Sequence, residues 1–183
     1  MKKIPTIFER DWSGDRSRVA PVINPECQWV FDGEGLATVK LDGTCVLVED
    51  GKRYKRRELR KGELPPKGWW PVDSDMKTET WIGWAPVGDG PEDRWHREAA
   101  GGDEGDGTYE LLGPKIQGNP EHKESHVLIK HGSVGFAAQP PRDFALLHSW
   151  LDGKDIEGIV WHHPDGRMAK IKSRDFGFKR KVG

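Results

Sequence analysis

Cysteine is nearly absent from this chain of 183 residues, because Cys27 and Cys45 are the only two. Two cysteines cannot build a disulfide framework or a four-cysteine zinc site. Long apolar runs are lacking too, which excludes a membrane-spanning helix. Residues 1–6 hold two lysines without the apolar stretch of a signal peptide. We therefore expect a protein of the reducing cytoplasm.

The chain also lacks a strong net charge, since 29 Lys and Arg face 30 Asp and Glu. This balance argues against a uniformly basic nucleic-acid binder. The charges are clustered, however. Segments 52–61 and 167–181 each carry seven basic residues and one acidic residue, whereas 73–106 carries ten acidic and three basic residues. The two basic blocks form one positive surface if the fold joins them, or are otherwise two solvated segments.

Tyrosine is scarce, but tryptophan is not. The chain has two Tyr and nine Trp, and five of the Trp lie between residues 69 and 95. Large aromatic rings usually pack in cores, so we expect most of the tryptophans to be buried. One or two are expected to offer a flat face to a base or to adenine.

The first half of the chain predicts a β-hairpin followed by an insertion. Residues 37–48 alternate and are rich in Val, Leu and Thr, which predicts one strand. Asp50-Gly51 is a two-residue hairpin signal, so 52–59 should return antiparallel. Segment 65–107 is dense in Pro, Gly, Trp and Asp and predicts an irregular, acidic insertion with short strands. Within it, 101–107 is the candidate mobile loop.

The second half predicts more strands and one helix. Strands are expected at 108–112, 126–130, 156–162 and 168–172. The spacing of Phe144, Leu147 and Leu151 predicts a helix that starts after Asp143 and stops at Gly153. The pattern favours a single α+β domain over 1–183 with mainly antiparallel sheets.

Four short motifs carry the chemical information. Lys40-Leu41-Asp42-Gly43 places a lysine at a strand, before a glycine that permits a close turn. It is followed by three further motifs in order, namely YELLGP (109–114), EGIV (157–160) and KIK (170–172). The period of two along a strand puts Lys170 and Lys172 on one face. Each motif alone is weak, but the ordered set is much less expected by chance.

In this order the motifs resemble those of the covalent nucleotidyltransferases, the superfamily of ATP-dependent DNA and RNA ligases and mRNA capping enzymes. The stretches GTYELLGPKIQGNPEH, DRWHREA and EGIVWHHPDGRMAKIKSRDFG further resemble the small RNA ligase 1-type family. The resemblance runs from about Ala37 to Phe178. It implies a nucleotidyltransferase (ATP-grasp-like) domain of mainly antiparallel sheets with flanking helices. Many ligases and capping enzymes add an OB-fold domain, but none is expected within these 183 residues.

The resemblance implies a role for each matched residue. Lys40 is the catalytic nucleophile that becomes adenylylated, and Lys170 and Lys172 grip the α-phosphate of ATP. Glu110 contacts the ribose or holds the lysine, and Glu157 binds ATP beside Mg²⁺, with Mn²⁺ as the other possible metal. On the basic strand Arg57 is the first choice for binding ATP or RNA. Arg56, on the opposite face, is the reserve, and Arg174 is a further RNA contact.

The expected reaction joins RNA ends that carry a 5′-phosphate and a 3′-hydroxyl, by a protein expected to be a monomer. A lysine amine that attacks the α-phosphorus of ATP stores the activation as a phosphoramidate, and nearby cations favour the neutral amine. Two other readings stay open, a DNA ligase or capping-type enzyme and a catalytically silent RNA- or ATP-binding protein. His122 and His126 are weak zinc candidates, because no third ligand is near them in sequence.

Overall fold

The structure is a computed structural model that describes residues 1–76, 78–103 and 105–180. Its strands are β1 (Phe8–Arg10), β2 (Val19–Ile23), β3 (Leu36–Lys40), β4 (Thr44–Glu49), β5 (Lys52–Arg60), β6 (Trp70–Asp75), β7 (Thr80–Pro86), β8 (Gly107–Leu112), β9 (Val127–Lys130), β10 (Gly158–His162) and β11 (Met168–Lys172). The helices are α1 (Gln28–Phe31), α2 (Arg94–Glu98) and α3 (Phe144–Leu151). Short 3₁₀ turns span Pro25–Cys27, Pro91–Asp93 and Ser173–Phe176.

The predicted fold class is confirmed at this level, since the pairs of named strands are antiparallel and the helices are few and short. Over the part of the chain that is described, no helix is long and apolar enough to span a membrane. The chain divides into two compact units. The first unit comprises Met1–Lys3 and Asp42–His131, and the second comprises Ile4–Leu41 and Gly132–Gly183. The single domain expected over 1–183 stays a prediction.

The first unit is built on a six-stranded sheet in the order β6-β7-β5-β4-β8-β9. The predicted hairpin at Asp50-Gly51 is confirmed. Glu49 pairs with Lys52, and both turn residues have positive φ, 50° and 71°. A two-residue turn of this kind follows the right-handed twist of the strands that it joins.

One face of this sheet is the core face. Buried Val46, Tyr109 and Leu111 pack there with Leu128 and Ala99. Strands β6 and β7 both lie within the segment expected to be an irregular insertion, and β7 pairs directly with β5. The expected mobile loop at 101–107 includes residue 104, and the basic segment 167–181 ends at residue 181. Both of these residues lie outside the described residues.

The second unit contains a three-stranded sheet in the order β11-β10-β3 and a separate β1-β2 hairpin. Ala37, Ile159, Trp161 and Ile171 form the buried side of the three-stranded sheet, and Leu147 of α3 belongs to the same core. Helix α3 begins as predicted, because the Asp143 carboxylate accepts hydrogen bonds from two backbone N–H groups of its first turn, at 2.9 and 3.1 Å.

The prediction of one strand over 37–48 is wrong, because β3 ends at Lys40 and β4 starts at Thr44 in a different sheet. The break has a local cause. A Cβ at Gly43 would lie 2.2 Å from the Leu111 carbonyl oxygen, so only glycine allows this close approach. The Asp42 and Gly43 N–H groups donate to the carboxylates of Glu121 and Glu110, each at 3.0 Å, instead of to a strand.

Candidate active site

Three lysines emerge from one face of the three-stranded sheet in the second unit. Lys40 and Lys172 both pair with Gly158, from opposite sides of β10, and Lys170 pairs with Val160 one row further on. Alternate residues of a strand point to opposite faces. The intervening residues Val39, Ile159 and Ile171 take the other face, and Ile159 and Ile171 there are fully buried. The predicted common face of Lys170 and Lys172 is confirmed.

Glu157 connects two of these lysines. The Lys40 Nζ donates to Glu157 Oε2 at 2.5 Å, and the Lys172 Nζ contacts Glu157 Oε1. The three side chains are between 13% and 20% exposed, so they are accessible only in part. Gly158 makes this closeness possible, since a Cβ there would lie 2.1 Å from the Ile171 carbonyl oxygen. One carboxylate therefore holds two ammonium groups at the end of β3.

The charges of the cluster shift two pKa values. Burial alone would raise the pKa of Glu157, but Lys40 and Lys172 outweigh burial and bring it below its usual value, so the group is a carboxylate at neutral pH. Burial lowers the pKa of Lys170 to about 8, and repulsion from Lys172 and Lys40 adds to that effect. The cluster has an excess of positive charge and suits a polyanionic ligand.

An ion pair between Arg10 and the buried Asp175 stabilises the backbone next to the cluster. The Asp175 side chain is 2% exposed and accepts hydrogen bonds from the Lys172 N–H and from Arg10 Nη1, both at 2.8 Å. The neighbouring Ser173 N–H donates to the Glu157 carbonyl at 2.9 Å. The turn at Ser173–Phe176 thus fixes the backbone of both charged residues. Sequence reasoning missed Asp175, although it lies three residues after Lys172 of the KIK motif, and nothing in the sequence marked Arg10.

In the first unit, Glu110 is held from two sides. Its Oε1 accepts from the Gly43 N–H, and its Oε2 lies 2.7 Å from His131 Nε2. The other ring nitrogen of His131 lies 2.9 Å from Thr108 Oγ1. His131 was not predicted, because it follows β9 outside any motif.

The two arginines considered for the basic strand lie on opposite faces of the six-stranded sheet. Lys55 pairs with Val46 on the core face, so Arg57 belongs to that face, whereas Arg56 shares the other face with Glu110. Arg57 is exposed, and Arg56 forms an ion pair with Glu58 at 3.2 Å. The structure therefore places Arg56, the reserve choice, on the same sheet face as Glu110. Arg174 is exposed on the turn at Ser173–Phe176 of the second unit.

A magnesium site of several protein carboxylates is not built here. Across residues 1–76, 78–103 and 105–180, no cluster of three or more His, Cys, Asp or Glu could hold a metal ion. Mg²⁺ is often held by one carboxylate together with the phosphates of a nucleotide, and the single carboxylate of Glu157 fits that arrangement. Of the zinc candidates, His126 instead stacks on Trp95, with ring centroids 4.6 Å apart.

Comparison with known proteins identifies similar chains. Residues 103–182 match the family model described as RNA ligase 1. The chain is 32% identical to the zebrafish (Danio rerio) protein named RNA ligase 1 over 140 residues, which are 64% of this chain and 42% of that protein. It is 38% identical to the Pongo abelii RNA ligase 1 over 78 residues, 38% of this chain and 24% of that protein.

The alignment to the mouse (Mus musculus) RNA ligase 1 is longer, with 25% identity over 78% of this chain and 67% of that protein. By the family model and these relatives, the chain is similar to proteins of the RNA ligase 1 family. The chain spans less than half the length of the zebrafish and Pongo abelii relatives.

Proposed function

We propose that this chain is an ATP-dependent RNA ligase that joins a 3′-hydroxyl to a 5′-phosphate through a Lys40-AMP intermediate. The observation that carries the proposal is the contact of Lys40 with Glu157 on the sheet face that also presents Lys170 and Lys172. The names of the relatives support RNA as the substrate. The nucleotidyltransferase fold is part of the same proposal and is consistent with the antiparallel sheets.

In the first step, the neutral Lys40 amine attacks the α-phosphorus of ATP. A new N–P bond forms, the bond from the α-phosphorus to the bridging oxygen breaks, and pyrophosphate leaves with the electron pair. Lys40 must first lose a proton, and Glu157 Oε2 at 2.5 Å is the adjacent acceptor. Lys170 and Lys172 stabilise the negative charge that builds on the α-phosphate.

Mg²⁺ bound near Glu157 would shield the triphosphate and make pyrophosphate a better leaving group. Glu157 is the one carboxylate to which we assign this metal. The chain's own part is to hold Glu157 in place through the Ser173 N–H bond to the Glu157 carbonyl.

In the second step, a 5′-phosphate oxygen of RNA attacks the phosphorus of Lys40-AMP, which breaks the N–P bond and returns the amine. In the third, the 3′-hydroxyl attacks the activated 5′-phosphate, and AMP leaves. We propose Arg174 and Arg56 as phosphate contacts, with Arg56 preferred over Arg57 because it shares a sheet face with Glu110. The role of Glu110 in binding ribose remains a proposal.

The test is incubation with α-³²P-ATP and Mg²⁺, followed by denaturing electrophoresis of the wild-type chain and Lys40→Ala. Lys154→Ala is the matched control, because Lys154 is exposed in the same unit and lies against Trp150. We expect a labelled band in wild type and control, and none in Lys40→Ala. Addition of 5′-phosphorylated RNA should chase the label into RNA, while the same DNA should not. ATP binding without a labelled band would favour the silent binding protein.

A further inference from the structure

The loop between β1 and β2 presents an exposed indole under a cation. Trp12 is 65% exposed, which is unusual for so large an apolar side chain. The guanidinium of Arg16 lies over its ring, 5.7 Å from the centroid. We call residues 11–18 the Trp12 loop. It lies outside the segment matched by the family model.

The Trp12 loop is fixed to the turn that supports Lys172. Arg10 Nη1 donates both to the Ser17 carbonyl, at 3.0 Å, and to Asp175, at 2.8 Å. The guanidinium of Arg18 packs over Gly177, where a Cβ would lie 2.5 Å from the Arg18 Cζ. The loop that carries Trp12 is thus held against the turn that follows Lys172 in the same unit.

The carboxylates of the loop accept hydrogen bonds from other residues of the loop. Asp11 accepts hydrogen bonds from the Gly14 N–H at 2.8 Å and from Ser13 Oγ at 2.9 Å. Asp15 accepts from the N–H and hydroxyl of Ser17, at 2.9 and 2.6 Å. Arg16 and Arg174 are exposed, and neither forms an ion pair within the described ranges. The loop therefore offers one flat ring with the Arg16 guanidinium over it, and the turn to which the loop is held offers the exposed Arg174.

We propose that Trp12, Arg16 and Arg174 form a contact surface for single-stranded RNA near its reacting end. The indole stacks on a base, and the guanidinium groups bind backbone phosphates, which is the usual combination for single strands. A docking site for another protein would need a contiguous apolar patch. Here every other residue of the loop, Asp11 and 13–18, is polar or glycine. This inference rests on the proposed function and names its RNA surface.

The experiment separates RNA binding from reaction with ATP. Trp12→Ala, Trp12→Phe and the double variant Arg16→Ala/Arg174→Ala are compared with wild type in two assays. The first measures lysyl-AMP formation without RNA. The second measures the Kd of a fluorescein-labelled, 5′-phosphorylated 12-nucleotide RNA by anisotropy at several salt concentrations. Trp81→Ala is the matched control, because Trp81 is 50% exposed in the other unit.

We expect lysyl-AMP formation to be unchanged in Trp12→Ala and Trp12→Phe. Trp12→Ala should weaken RNA binding about tenfold, and Trp12→Phe should retain most of the affinity because a ring remains. The double variant should reduce the salt dependence of Kd, because fewer counterions are released. An unchanged Kd for RNA in Trp12→Ala, or an equal loss of RNA affinity in Trp81→Ala, would overturn the proposed RNA surface.

A parallel loss of lysyl-AMP formation in Trp12→Ala would also overturn it, since the loop would then be only structural. Failure of the proposed function looks different. In that case wild type forms no lysyl-AMP, while the effect of Trp12→Ala on RNA binding persists.

Discussion

Lys40 and Lys172 share one carboxylate, because each contacts a different oxygen of Glu157. The two lysines come from β3 and β11, and both pair with Gly158 of the strand between them. The carboxylate keeps two like charges close together. Under the proposed function, the triphosphate oxygens of ATP would replace Glu157 as the partner of Lys172 and leave Glu157 to Lys40.

Replacement of Glu157 by glutamine tests this arrangement. Glu157→Gln keeps the shape but leaves Lys40 and Lys172 without a counter-charge, so repulsion and the loss of a proton acceptor should slow lysyl-AMP formation by about a hundredfold. ATP affinity should change less, because the positive charge increases. Single-turnover labelling over a range of ATP concentrations measures both. The exposed Glu26→Gln in the same unit is the control. A rate within twofold of wild type would contradict the role of Glu157.

Lys170 should make stability depend on pH in the alkaline range. Its pKa is about 8 in the folded chain and 10.5 in the unfolded chain, mainly because it is buried. Between these values the unfolded chain binds the proton and the folded chain does not, so Lys170 makes the free energy of unfolding rise with pH there. Below pH 8 its destabilising effect is fully present.

Urea unfolding at pH 7.5, 8.5 and 9.5 measures this dependence, and Lys170→Met should flatten it. The matched control is Lys154→Met, which should keep the wild-type slope. If the wild type and Lys170→Met have parallel profiles, Lys170 is not the responsible group.

The Arg10–Asp175 pair should matter for rate as well as for stability. Arg10→Gln leaves the Asp175 carboxylate without its cation and should lower the free energy of unfolding by about 2 kcal/mol, less than for a fully buried pair since Arg10 is 34% exposed. Because Asp175 also holds the Lys172 N–H, the kcat of lysyl-AMP formation should fall more than KM for ATP rises.

A double-mutant cycle with Asp175→Asn checks the coupling. The double variant removes the unpaired charge, so its loss of unfolding free energy should be smaller than the sum of the two single losses. Additive losses, or a stability loss with unchanged kcat, would show that the pair does not position Lys172.

His131 provides a test in the first unit. His131→Ala removes the hydrogen bond to Glu110 Oε2 and should cost about 1 kcal/mol of stability. If Glu110 contacts the nucleotide, KM for ATP should rise several-fold with little change in kcat. His131→Gln retains a donor and should restore KM in part. Identical KM values for wild type and both variants would contradict a positioning role for His131.

The parts of the fold that depend on local sequence were predictable. The Asp50-Gly51 turn, the Asp143 cap of α3 and the common face of Lys170 and Lys172 each follow from a few adjacent residues. The end of β3 was not predictable, because the strand pattern continues past Gly43. The break depends on the Leu111 carbonyl, which lies far along the chain.

The candidate site, like the fold, could be predicted only in part from local sequence. The motifs named Lys40, Glu157 and the KIK lysines, but the face occupied by Arg56 depends on the register of β4 and β5. A shift of one residue would have exchanged Arg56 and Arg57. The Arg10–Asp175 pair joins positions 165 residues apart, and no local pattern marks such a contact.

The central claim is that Lys40 forms a covalent bond to AMP. The most direct measurement is mass spectrometry of the intact chain after incubation with ATP and Mg²⁺, followed by peptide mapping. The account predicts a mass increase of one AMP, located on the peptide at Lys40 and lost on treatment with pyrophosphate. An unmodified chain, or AMP on another lysine, would contradict it.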